Sequence, residues 1–141
     1  MKRKLKNYNY LKSRIQQIKE EIQGLRVSQQ SLREINAIIP SDMPRSKCND
    51  DKMATAVCKI IDIYENRISN LATELQIKLW ELEELTSALW MLDEKEYKVI
   101  KERYIDSVRW DFIPGRLSYS RRQCFRLHDN AVRKLIKLLN K

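Results

Sequence analysis

The sequence predicts an all-α protein, and three observations carry that expectation. Two glycines and three prolines in 141 residues are too few for the many turns of a sheet protein. The abundance of Lys, Glu, Gln, Leu and Ile favours long helices. Apolar positions then recur in steps of three and four over most of the chain, the period of one helix face. With 43% hydrophobic and 33% charged residues, the chain can bury one modest core or two small modules and is too apolar to be wholly disordered.

The first element follows from Tyr8, Leu11, Ile15, Ile18, Ile22, Leu25, Gln29 and Leu32, a heptad seam in which only Gln29 is polar. The stretch "PSDMPRSKCND" comes next; Pro40 and Pro44 stop a helix there, and Ser, Asp and Asn supply turn chemistry. A second seam runs Ala54, Val57, Ile61, Tyr64, Ile68, Leu71, Leu75, Lys78, Leu82, Leu85, Leu89 and Leu92, interrupted only by Lys78.

Two seams joined by a short loop can fold back as an antiparallel hairpin, or they can pair between chains. A fold-back centred near Arg45 sets Leu32 opposite Cys58 and Tyr8 opposite Leu82. It also brings the basic run "MKRKLK" near Glu81, Glu83 and Glu84. Ordinary charge pairing is the preferred reading of Lys2, Arg3, Lys4 and Lys6, with a DNA-contacting arm as the alternative.

At "LDEKEYKVIKERYIDSVRW" a new unit opens. Asp93 can cap a helix with Glu96 as the reciprocal partner of a capping box, and Tyr97, Ile100 and Tyr104 mark its apolar face. Trp110, Ile113 and Leu117 give the following segment a buried side. Pro114 opposes a regular helix at Trp110, so that element is expected to be short or kinked, beginning no earlier than about Asp111, a good cap residue.

Ser120 and Gln123 form an S-x-x-Q capping box that starts a helix at Arg121 and ends the preceding one at Ser118. Cys124, Leu127, Ala131, Leu135 and Leu138 then point one way, and Arg121, Arg122, Phe125, Arg126 and Asp129 largely the other. Arginines in a first helical turn oppose the partial positive charge already there, a cost that a phosphate or an acceptor edge of a base relieves.

Charge divides the chain the same way: net +6 over residues 1–50, −3 over 51–92 and +6 over 93–141. A basic carboxy-terminal third points to a polyanion, most simply nucleic acid, against the plainer reading of a solvated basic face. Cys48, Cys58 and Cys124 form no CxxC pair and His128 is the sole histidine, so neither a disulfide framework nor a zinc site is expected, and no cofactor. No glycine-rich phosphate loop or nucleophile–base pair suggests an enzyme. His128 is expected to serve packing or a phosphate contact rather than catalysis. The longest apolar runs fall short of a membrane span and no leader is evident, so a cytoplasmic protein without a membrane partner is expected.

The segments "LDEKEYKVIKERYI", Trp110–Ile113–Leu117 and "SRRQCFRLHDNAVRKL" together resemble the region-four helix-turn-helix of primary sigma factors over about 45 residues. With the helical amino-terminal region, the chain is most similar to phage late-gene transcriptional regulators of the ArpU/RinA-like group. The resemblance implies sequence-specific binding of double-stranded DNA and activation of phage late genes from a prophage. RNA polymerase and a second copy of the chain, joined through the seams, are further expected partners. Base-reading positions of the sigma module fall on Arg121, Arg122, Phe125 and Arg126, and Arg109 and Arg133 are counted with them as DNA-binding residues. Arg122 stands where the sigma pattern is acidic and Phe125 where it is basic, so the preferred DNA sequence is expected to differ from a standard promoter element. The implied division is a helical hairpin over 1–92 and a DNA-binding domain over 93–141. Two other functions fit the same elements: a DNA-packaging recognition subunit of small-terminase type, and a coiled-coil adaptor that never touches DNA.

Overall fold

A computed structural model of the chain describes residues 1–38 and 50–140. Every regular element among them is a helix: α1 (Lys2–Lys6), α2 (Tyr8–Ile38), α3 (Asp50–Trp90), α4 (Glu94–Ile100), a π segment (Lys101–Ile105), α5 (Ile113–Leu117) and α6 (Arg121–Leu139). The expected loop at Pro40 and Pro44, the fold-back point at Arg45 and Cys48 lie outside the described residues. No described helix is long and apolar enough to cross a membrane. Contacts divide the chain into two compact units, one of Gln16–Ile77 and one of Met1–Ile15 with Lys78–Lys141. That division does not fall at the sequence boundary of 92/93, because α1 and the start of α2 pack with the carboxy-terminal helices.

In the Gln16–Ile77 unit the seams are the buried stripes. Ile18, Ile68 and Leu71 are buried, and Ile22, Leu25, Leu32, Val57, Ile61, Tyr64 and Leu75 are half-buried, whereas Ala54 is exposed. Gln29, the polar seam position, is buried and keeps its amide satisfied: Nε2 donates to Ile61 O at 3.2 Å and to Glu65 Oε2 at 2.8 Å. Cys58, expected opposite Leu32, is exposed. Arg67 Nη2 pairs with Glu21 Oε1 at 2.6 Å farther along the same two helices.

The second unit has a closed core. Leu5 of α1, Leu89 of α3, Ile100 of α4, Tyr104 of the π segment, and Val132 and Leu135 of α6 belong to one buried cluster. Burial of each large aliphatic side chain there stabilises the fold by about 1.5–3 kcal/mol. Asn9 fastens the start of α2 to the end of the π segment, its Nδ2 donating to Tyr104 O at 3.2 Å and Ile105 O at 2.8 Å. Those are carbonyls that a terminating helix leaves without an intrahelical donor.

Asp93 caps α4 in the extended conformation, and its backbone N–H donates to Glu96 Oε2 at 3.4 Å, the returning half of the capping box. Lys134 Nζ closes the group, donating to Asp93 Oδ2 at 2.7 Å and Glu96 Oε2 at 2.9 Å. These bonds hold the Lys134 ammonium pKa above its ordinary value and tie α6 to the first turn of α4.

Candidate functional site

The scaffold in front of α6 is short, as Pro114 requires. After the π segment, Ser107 takes a left-handed conformation (φ 56°), and a turn through Trp110 and Asp111 leads into α5, which spans only Ile113–Leu117 with Pro114 in its first turn. The cap is Phe112, without a side-chain hydrogen bond, and not Asp111. Asp111 instead places Oδ1 3.8 Å from Arg121 Nη2, an exposed pair that contributes little. Ser118, left-handed at φ 56°, ends α5, and the Tyr119 N–H donates back to Pro114 O at 3.1 Å. Ser120 then caps α6: the Gln123 N–H donates to its Oγ at 3.2 Å, and the helix starts at Arg121.

α6 is strongly two-faced. Cys124, His128, Ala131, Val132 and Leu135 are buried, whereas Arg121, Arg122, Phe125, Arg126, Asp129 and Arg133 are exposed. Positions 122, 126, 129 and 133 step by four and three residues and so share one face. No acidic residue lies in the first turn, so the partial positive charge of the helix start adds to that of Arg121 and Arg122. Arg109 is exposed on the loop before α5, beside a shallow hollow shared with Phe112 and Arg116. The six sequence-expected residues thus fall on two elements, five on α6 and Arg109 on the loop.

An aromatic cluster fixes the two elements to each other. Trp110 stacks on Phe125 with ring centroids 4.7 Å apart and meets His128 edge-on at 5.0 Å. Phe125 remains 39% exposed, with the Arg121 guanidinium over its ring at 5.9 Å from the centroid. The Arg103 guanidinium lies over the outer part of this cluster, 5.8 Å from the Trp110 centroid, and donates to Val108 O at 3.1 Å. Arg116 Nε reaches the otherwise unpartnered Glu102 Oε2 at 2.9 Å as an ion pair, which ties α5 to the π segment.

His128 is a packing residue. It is buried, with Nδ1 3.3 Å from Asp129 Oδ1 and Nε2 2.9 Å from the Tyr104 hydroxyl. A carboxylate only accepts, so Nδ1 carries the proton and Nε2 accepts from Tyr104. Burial pushes the imidazole pKa down, opposed by the Asp129 bond, with Lys2 and Arg103 adding to the depression. The same burial pushes the Tyr104 phenol and the Cys124 thiol up. Sequence reasoning does not find the Tyr104–His128–Asp129 chain, because Tyr104 lies 24 residues from His128 and neither residue type signals the other.

No group of His, Cys, Asp and Glu among the described residues is placed to hold a metal ion. Compared with known proteins, the chain matches no family model, no curated protein and no solved structure.

Proposed function

We propose that α5 and α6 form a helix-turn-helix of the sigma-region-four kind, that α6 reads DNA in the major groove, and that the protein is a sequence-specific regulator of phage late transcription. The seams of α2 and α3 are, on this reading, a helical hairpin for oligomerisation or for contact with RNA polymerase. The supporting observation is the start of α6, where Arg121, Arg122, Phe125 and Arg126 stand exposed on a helix whose opposite face is buried. Arg122 and Arg126 are one turn apart, a spacing at which one guanidinium can bond a guanine through two atoms while the other holds a phosphate.

Gel-shift titration of the chain against DNA upstream of neighbouring phage genes tests this reading; no shift with any such fragment at low salt overturns it. Arg126→Ala is expected to weaken specific binding by about 1–3 kcal/mol and to relax preference at one base pair. An unchanged base-substitution profile removes Arg126 from base reading. The adaptor reading has one observation in its favour, the exposure of Trp80, Trp90 and Met91 on and just beyond α3.

A further inference from the structure

We propose that Lys2, Arg3 and Lys6 of α1 form a second phosphate-contacting surface, which grips the backbone of the same DNA duplex that α6 reads. This inference rests on the proposed role of α6.

Four of the five residues of α1, "KRKLK", are cations, and none is acidic. A helix that short does not hold together alone. Its anchor is Leu5, 1% exposed, in the cluster that also contains Val132 and Leu135 of α6. Asn9, just beyond, binds the end of the π segment. The cations are therefore held in place on the core that carries α6, rather than on a loose tail.

Their expected partners do not neutralise them. Among the described residues no ion pair joins Lys2, Arg3, Lys4 or Lys6 to Glu81, Glu83 or Glu84; Glu81 pairs instead with Lys78 at 3.3 Å. Helical spacing separates the four: Lys4 lines a hollow together with Glu81 and Glu84, while Lys2, Arg3 and Lys6 lie on the other side of Leu5. All four are exposed. Leu5 shares its buried cluster with Ala131, Val132 and Leu135, so α1 stands near α6, and the Lys2 charge adds to the lowering of the His128 pKa. Clustered like charges without counter-charges are relieved by a polyanion, and duplex DNA offers phosphates in a continuous row.

The test measures affinity of the full chain for mixed-sequence duplex DNA as a function of salt. K2Q/R3Q/K6Q is expected to reduce the slope of log affinity against log salt by between about 2 and 3, at about 0.9 for each phosphate that is no longer neutralised. Affinity should fall by the same factor for every duplex tested. The charge-preserving variant K2R/K6R is expected to keep the original slope. An unchanged slope in K2Q/R3Q/K6Q, in a variant whose thermal unfolding matches the unaltered chain, overturns this inference and leaves the role of α6 standing. A diminished slope in K2R/K6R also overturns it, because the interaction is then not electrostatic. If the unaltered chain binds no duplex at low salt, both readings fall together.

Discussion

The two compact units solve the burial problem differently. In Gln16–Ile77, two long helices bury a stripe in which Ile18, Ile68 and Leu71 are covered. In the unit of Met1–Ile15 and Lys78–Lys141, several helices converge, and Leu5, Val99, Ile100, Ile113, Cys124 and Leu135 are each at most 1% exposed. A stripe tolerates small shifts along its length, whereas a closed core fixes where each helix lies. The candidate DNA face stands on the closed core, where a small displacement of α6 would misplace every arginine at once.

The largest expected contrast comes from truncating one side chain in each unit. Leu135→Ala, which empties a fully buried site, is expected to cost about 2–5 kcal/mol in urea unfolding. Ile63→Ala, on an exposed position, should stay within about 0.5 kcal/mol. Equal losses would show that Ile63 is covered and that the buried stripe is wider than the seam.

A pH titration sharpens it further. The unfolded chain has an ordinary histidine near 6.5, and the folded imidazole lies below that value. As pH falls through 6.5, the unfolded state takes up a proton that the folded state refuses, so stability falls until the folded pKa is passed. The slope approaches about 1.4 kcal/mol per pH unit for one proton. Stability is fully present above 6.5 and the loss occurs on the acid side. His128→Gln should flatten this dependence, and an unchanged slope in that variant would assign the titration elsewhere.

Among the buried positions, the smallest expected effect belongs to the stripe. Gln29→Leu is expected to raise stability by about 1 kcal/mol, since a polar seam residue sets register at a cost in stability. A drop in the urea midpoint would show instead that the bonds to Ile61 and Glu65 contribute more than the apolar packing that replaces them.

Periodic and local features were legible in the sequence. The seam positions, the Ser120 cap, the start of α6 at Arg121 and the short element at Pro114 each depend on residues within a few positions of one another. The π segment was not legible: Tyr97, Ile100 and Tyr104 fit an ordinary helix face, and the widening shows where the Asp106 N–H reaches Lys101 O at 2.9 Å. Nor was the docking of α1, because a single leucine among four cations carries no periodicity and Asn9 finds its partners 95 and 96 residues away. The choice of Phe112 over Asp111 as the cap reflects the tight turn before α5, which sets the helix start one residue later than side-chain preference suggests.

Cys124 lies on the concealed side of α6, fully buried, and its thiol is held above the ordinary range. Only a thiolate alkylates at a useful rate, and here burial disfavours the ionised form and closes the path of the reagent while the helix is seated. Alkylation of Cys124 therefore acts as a clock for the lifting of α6: its rate counts how often the helix leaves the core. Cys58, exposed on α3, reacts without waiting for such an opening. Bound DNA that holds α6 in place would slow the one and spare the other, so a single reagent can time the seating of the helix.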